Sequence, residues 1–181
     1  MSNDNLTLTQ LAPGMREAYM DYVDAMRSGS SHVNEADYEL ARRDYAALLH
    51  RRTEQQAGRE LPQGYVPQSI YYLLRNGRIL GELSLRHRLT DDLIEFGGHI
   101  GYGIRPEERN KGYCTEMLGL ALEVCRQRCI MRVRITCDSD NAASARVIEK
   151  CGGVLDSESY CEQAGRVTRR YWIDLSDEGE R

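Results

Sequence analysis

The stretch whose reading decides the rest is Gly101–Gln127, GYGIRPEERNKGYCTEMLGLALEVCRQ. Together with Ile100, its residues Tyr102 and Ile104 alternate as a short strand does, and the strand breaks at Pro106, where a missing N–H and a fixed φ stop the ladder. A charged turn follows, Glu107-Glu108-Arg109-Asn110-Lys111. From Gly112 onward a helix is predicted, because Cys114, Met117, Leu118, Ala121, Val124 and Cys125 recur at helical spacing. A strand, a basic turn with glycine and a helix together make an anion site. The first-turn N–H groups of a helix have no intrahelical partner, and its dipole puts partial positive charge beside them. Gly112 lets a ligand come close to the backbone, and Arg109 and Lys111 add full charges.

The order Arg109-x-x-Gly112-x-Cys114 resembles the acetyl-CoA pyrophosphate loop of the GNAT acyltransferases, where Arg or Gln-x-x-Gly-x-Gly or Ala recurs. Cys114 departs from that pattern, but its side chain is small enough for the turn to survive. A second stretch, Asp140–Gly153 (DNAASARVIEKCGG), resembles the other signature of the family, an Asn-x-x-Ala or Ser turn that opens a helix beside the cofactor. The two motifs stand in family order with one predicted strand between them. The resemblance implies acetyl-CoA as acyl donor, with Arg109, Asn110, Lys111, Gly112, Tyr113, Cys114 and Thr115 around the pyrophosphate. It implies Tyr102 and Ile104 as strand positions whose backbone faces the thioester, Asn141 against the pantetheine arm, and Ser144 as a further contact. Read without the family, Asn141 is a helix cap, and the two roles are compatible. Many members carry a tyrosine on the last helix that protonates the departing thiolate. Here that line reads Val147-Ile148-Glu149-Lys150, so no tyrosine acid is carried over.

With 181 residues the chain is expected to form one domain, residues 1–181, with its motif-bearing core at about 69–175. The net charge is −4, from 24 basic and 28 acidic residues, which gives no reason to expect nucleic-acid binding. No apolar run approaches the ~20 residues that span a bilayer. The opening MSNDNLTLTQ has neither a basic n-region nor an apolar h-region, so no signal peptide and a cytoplasmic location are expected. The cysteines at 114, 125, 129, 137, 151 and 161 form no C-x-x-C pair and have no histidine at ligand spacing, so no metal is expected and the thiols are read as reduced. Cys114, near a helix N-terminus, should have a more acidic thiol than usual, though small packing residue is its preferred reading.

In chain order, residues 6–11 read as a strand and 15–27 as a helix, broken at 28–31. A second helix, capped by Asn34, is predicted to run to about Gln56, and 58–67 is a loop. Strands at 69–74 and 79–89 flank Asn76-Gly77, a strong hairpin signal. Thr90–Leu93 reads as a polar turn before the strand of the opening paragraph. After the central helix come a strand at 131–137, a helix at 142–151 stopped by Gly152-Gly153, a closing hairpin at 154–161 and 167–175, and a polar tail from Ser176. This is an α+β plan, and the resemblance implies a mixed, mostly antiparallel sheet of about seven strands flanked by helices.

Acyl transfer to an amine needs a neutral nucleophile, support for the oxyanion and an exit for the thiolate. The resemblance implies that the strand ending at Ile104 parts from the next strand and offers backbone N–H groups to the oxyanion. Candidate bases are Glu82, Glu95 and His99, all read on strands, with His99 titrating nearest neutrality. The competing reading of His99 is a histidine bonded on a sheet face. Tyr160 and Tyr171 are candidate proton donors, although tyrosine is common in strands for packing alone. Arg86, His87 and Arg88 are a strand end or the rim of a site for an acidic acceptor. The leading expectation is an acetyl-CoA-dependent N-acetyltransferase acting by direct transfer on a small-molecule amine, with no nucleic-acid or membrane partner. The family's habits point to a homodimer. The alternatives are acetylation of a protein or peptide and a non-catalytic acyl-CoA sensor.

Overall fold

The computed structural model describes residues 6–29, 31 and 33–176. The first five residues, Ser30 and His32 in the predicted break, and the tail from 177 lie outside the described residues. The chain divides into two compact units, one comprising the chain up to Ser84 with Tyr102–Cys114, the other Leu85–Gly101 with the chain from Thr115.

In the first unit a tyrosine-rich core forms because three helices offer aromatic stripes to a sheet. Helix α1 (Arg16–Ser28) buries Tyr19, Tyr22, Val23 and Met26, the periodic residues of the sequence. Helices α2 (Glu35–Arg43) and α3 (Tyr45–Gln56) bury Tyr38, Ala41, Tyr45 and Leu48. Strand β1 (Thr7–Thr9) runs antiparallel to β2 (Gln68–Arg75), with Thr9 opposite Tyr72. The ring of Tyr72 meets Tyr19 at 5.9 Å and Tyr22 at 6.3 Å, both edge-on, the geometry that aromatic quadrupoles favour. Strand β3 (Arg78–Arg86) follows from Asn76 and Gly77, whose φ of +52° and +78° are the left-handed pair of a type I′ hairpin. With β4 (Ile100–Ile104) the sheet order is β1-β2-β3-β4.

The single helix expected over 34–56 is in fact two. Asn34 caps α2 as predicted, accepting from Asp37 N–H at 3.1 Å. At Asp44 the backbone turns extended and the carboxylate accepts from Ala47 N–H at 2.9 Å, starting α3. A short acidic side chain that can satisfy an orphan N–H competes with continued helix, and here it wins.

In the second unit, β5 (Arg132–Asp138), β6 (Val154–Cys161) and β7 (Arg166–Asp174) pair antiparallel in the order β5-β7-β6. Helix α5 (Tyr113–Gln127) buries Met117, Leu118, Ala121, Leu122 and Cys125 along one stripe. Helix α6 (Ala142–Lys150) ends as Gly152-Gly153 predicts: Gly152 takes φ +87°, its N–H reaches Glu149 O, and Gly153 N–H reaches Ile148 O at 2.9 Å. That bond pattern satisfies carbonyls the helix leaves unpaired.

Between β3 and β4 two expectations change. The strand stops at Arg86 rather than Leu89, and the supposed turn at Thr90–Leu93 opens a short helix, α4 (Asp91–Glu95), capped by the Thr90 hydroxyl. Arginines meet the carbonyls at and beyond its end: Arg134 donates to Ile94 O, Arg170 to Glu95 O and Arg86 to Gly97 O and Gly98 O. Terminal helix carbonyls have no intrahelical donor, and these side chains provide one. All six cysteines are free thiols.

Candidate functional site

The turn after β4 is built on a buried arginine that sequence reading passed over. Arg105, 2 % exposed, donates to Ile79 O at 3.1 Å and ion-pairs with Asp21 at 2.8 Å and Glu107 at 2.7 Å. One 3-10 turn at Pro106–Glu108 then turns the chain. Arg109, on the exposed side, donates from Nε to Ile104 O at 3.1 Å and from Nη2 to Ser31 Oγ at 2.7 Å. Asn110 and Gly112 both take left-handed φ, +62° and +85°. A Cβ on Gly112 would meet nothing within 4 Å, so its conformation, and not crowding, calls for glycine. The same open space leaves room for a ligand against the backbone.

Both acids of the turn are held by cations. Glu107 lies 2.9 Å from Arg78, while Glu108 lies 2.8 Å from Arg78 and 2.9 Å from Lys111. The Lys111 hydrogen bond, first, and Arg78 hold the Glu108 carboxyl below its usual range. Arg75, Arg78, Arg105, Arg109 and Lys111 outnumber Asp21, Glu107 and Glu108, so the loop keeps a positive balance. Tyr113, at the start of α5, accepts a hydrogen bond from Arg75, whose guanidinium also sits 5.9 Å from the ring centroid. Cys114 is a half-buried free thiol.

Asn141 is the N-cap of α6, its Oδ1 accepting from Ser144 N–H at 3.0 Å. The cap and the half-buried Ser144 are therefore one unit. Within the second unit, Thr115, Gly119 and Leu122 of α5 face Lys150 and Cys151 across an open groove of about 450 Å³. The Cys151 thiol donates to Thr115 O at 3.7 Å. Lys150 and Cys151 were not singled out in the sequence, because nothing local ties the end of α6 to the start of α5.

The candidate acid–base residues have different fates. His99 is 7 % exposed; its ring Nδ1 accepts from Arg134 N–H at 2.9 Å and its backbone N–H donates to Arg134 O at 2.7 Å. Burial, reinforced by Arg86, pushes its pKa down to about 4, so the ring is neutral. With Nδ1 an acceptor, the neutral ring carries its proton on Nε2, and neither nitrogen is left to take another. His99 thus joins the chain ahead of β4 to β5, the sheet-bonded reading. Glu95 ends α4 instead of lying on a strand, and its carboxylate pairs with Arg170 at 3.1 Å. Arg86 is spent on Gly97 O and Gly98 O, so it does not form an acceptor rim. Tyr160 is 63 % exposed on β6, whereas Tyr171 is buried and donates to Glu149 at 3.2 Å. Ile148, at the family's tyrosine position, is fully buried. Glu82 is half-buried on β3, in a group with Tyr19, Tyr22, Tyr72 and Arg52.

Residues 6–154 match the profile of the acetyltransferase (GNAT) domain. The chain belongs to the GNAT acetyltransferase family. Membership makes it an N-acetyltransferase whose acetyl donor is acetyl-CoA, and the matched range takes in the N-terminal helices that the two motifs leave out. Solved structures show the same fold at low identity. The ribosomal-protein-S5-alanine acetyltransferase from Vibrio fischeri is 14% identical with a TM-score of 0.71, over 99% of this chain and 98% of that one. RimJ from Mycobacterium smegmatis, solved with CoA-disulfide, is 16% identical with a TM-score of 0.68, over 97% and 84%. The microcin C7 self-immunity acetyltransferase MccE, solved with acetyl-CoA and AMP, is 16% identical with a TM-score of 0.65, over 95% and 93%. No curated protein matches the sequence significantly.

For a GNAT enzyme the loop fits its donor: an exposed glycine turn of positive balance at the start of a long helix suits a pyrophosphate. Among the described residues, no helix of this acetyltransferase is long and apolar enough to cross a membrane.

Proposed function

We propose that this enzyme moves the acetyl group of acetyl-CoA to a primary amine of a small molecule, by direct transfer in a ternary complex. The observation that carries the reading is the family match together with the turn at Arg109–Gly112, left-handed at Asn110 and Gly112 and ahead of α5. In this reading Arg109, Lys111 and the backbone from Asn110 to Thr115 take the pyrophosphate, and the groove at Thr115, Gly119 and Lys150 takes the nucleotide end. Asn141, with Ser144, meets the pantetheine arm, and backbone groups at Tyr102 and Ile104 meet the thioester carbonyl. We read the chain as one catalytic domain working in the cytoplasm as a homodimer.

Of the candidate bases, Glu82 is the one we assign to the acceptor amine, since His99 has no lone pair left and Glu95 is paired with Arg170. Attack by the neutral amine forms the N–C bond, the proton passes to Glu82, and the C–S bond breaks with its electron pair leaving on sulfur. A thiol is far more acidic than an alcohol or an amine, so its thiolate leaves without a strong acid. That removes the need for a tyrosine where Ile148 stands, and for Tyr160 or Tyr171 as donor.

A second reading, acetylation of a protein N-terminus, is favoured by one finding: the V. fischeri neighbour is an acetyltransferase of a ribosomal protein's terminal alanine. The experiment that separates the readings supplies the purified enzyme with acetyl-CoA and two acceptor panels, small amines and N-terminal peptides, and follows free CoA with a thiol reagent. CoA release with small amines alone supports the leading reading, and release with peptides alone replaces it. Binding of acetyl-CoA with no release from either panel points to a sensor. No thermal shift with acetyl-CoA would overturn the site assignment.

A further inference from the structure

The ion pairs around the turn after β4 form one row of alternating charge. Asp21 on α1 meets Arg105, Arg105 meets Glu107, and Glu107 meets Arg78 on β3. Arg78 then meets Glu108, and Glu108 meets Lys111, every contact lying between 2.7 and 2.9 Å. Three acids and three cations cancel along the row. Its inner end is fixed, because Arg105 is buried and also donates to Ile79 O. Its outer end is the half-exposed Lys111. Arg109 stands outside the row and gives its hydrogen bonds to neutral oxygens, Ile104 O and Ser31 Oγ.

The outermost pair stands at the point where the turn is open. Lys111 lies between Asn110 and Gly112, both left-handed, and the backbone at Gly112 has free space beside it. Yet its ammonium is occupied: Glu108 Oε2 holds Lys111 Nζ at 2.9 Å, while Glu108 Oε1 holds Arg78 Nη1 at 2.8 Å. Each oxygen of one carboxylate thus takes one cation. The Glu108 side chain is only 13% exposed, so it is seated among these partners instead of extending into water. The Lys111 hydrogen bond, and then Arg78, keeps its carboxyl below the usual range, so it is charged at neutral pH. Two anionic oxygens at hydrogen-bonding distance from an ammonium and a guanidinium are what a phosphate would present to the same pair.

We propose that Glu108 is an internal stand-in for the donor's pyrophosphate, neutralising Lys111 and Arg78 until acetyl-CoA binds and takes its place on Lys111. The inference rests on this turn being the pyrophosphate site. Two anions then compete for one ammonium, and the seated carboxylate repels the phosphates as they arrive. Glu108 therefore lowers donor affinity. The exchange runs backward at the end of the cycle: as CoA leaves, the carboxylate returns to Lys111, so release leaves no bare cation behind. Arg109, whose partners are uncharged, meets no such competitor and keeps its full attraction for the phosphates.

The test is calorimetric titration with CoA of the purified parent, Glu108→Gln, Lys111→Gln and the double variant, with a thermal melt of each to show that it is folded. Glu108→Gln keeps the shape of the side chain and removes its charge. It should bind CoA roughly three- to tenfold more tightly at low salt, and the gain should shrink in about 1 M salt, where charges are screened beyond about 3 Å. In the Lys111→Gln background the same change should bring a much smaller gain, because the ammonium under competition is gone. Unchanged or weaker CoA binding by folded Glu108→Gln overturns the proposal. So does an undiminished gain without Lys111, which would make Glu108 a general negative charge and not a competitor. If Glu108→Gln does not fold, Glu108→Ala is read in the same way. The site reading fails separately: a parent that does not bind CoA, or Arg109→Ala binding as tightly as the parent, removes the turn from the donor site whatever Glu108 does.

Discussion

Replacing Arg109 by alanine separates what this side chain does for the fold from what it does for the donor. In the free protein its guanidinium makes two hydrogen bonds, to Ile104 O at 3.1 Å and Ser31 Oγ at 2.7 Å, from an exposed position. Bonds of this kind contribute about 0.5–1.5 kcal/mol each, and exposure puts them at the low end, so Arg109→Ala should cost about 1 kcal/mol of stability. For a domain of this size that lowers Tm by roughly 2–4 °C. A charge-assisted contact to a pyrophosphate is worth about 1.5–3 kcal/mol, or a roughly tenfold to hundredfold rise in the Kd for CoA. Calorimetric titration with CoA at two salt concentrations, beside a thermal melt, reads both numbers. The binding loss should shrink at high salt, because part of it is screened charge. Arg109→Ala that melts within a few degrees of the parent and binds CoA as tightly would refute the loop assignment. A melt lowered by tens of degrees would instead make Arg109 a strut between β4 and the segment at Ser31.

Further predictions follow from the same contacts. Gly112→Ala places a Cβ at φ +85° in open space, so backbone strain alone should cost about 1–2 kcal/mol, seen as a lower Tm together with weaker CoA binding. Asn141→Ala removes the α6 cap and should cost about 1 kcal/mol, whereas Asn141→Asp keeps the cap and should lose only donor affinity; equal CoA affinity in the parent and both variants would remove Asn141 from the site. His99 titrates at about 4 in the fold against 6.5 when exposed, so between these values the unfolded chain holds the extra proton. Stability should therefore be complete above pH 6.5 and fall as pH drops toward 4, by up to about 3 kcal/mol. His99→Gln should flatten the rise of Tm over that window, and an unaltered slope would contradict the buried, neutral ring.

Much of this enzyme was legible as local chemistry. The helical stripes of α1 and α5, the caps at Asn34 and Asn141, the Asn76-Gly77 hairpin and the glycine stop after α6 each depend on residues within a few positions of one another. The turn proposed to hold the donor belongs to the same class, since the φ of Gly112 and the placement of Arg109 are set by a single turn. Asp44 was also local but was misread, because the apolar period of α2 continues in phase into α3 and hides a side chain that caps a new helix.

By itself, then, the sequence determined most of the elements, the family and the donor, while the break at Asp44 and helix α4 escaped it. Only the tertiary structure decided which ionisable groups can do chemistry. His99 was a candidate base until Arg134, 35 positions on, took its lone pair, and Arg105, passed over in the sequence, found its partner Asp21 84 positions back. The physical reason is common to both. Secondary structure follows from torsions and bonds a few residues long, whereas the proton affinity of a side chain is set by the charges, dipoles and burial that folding brings to it from far along the chain.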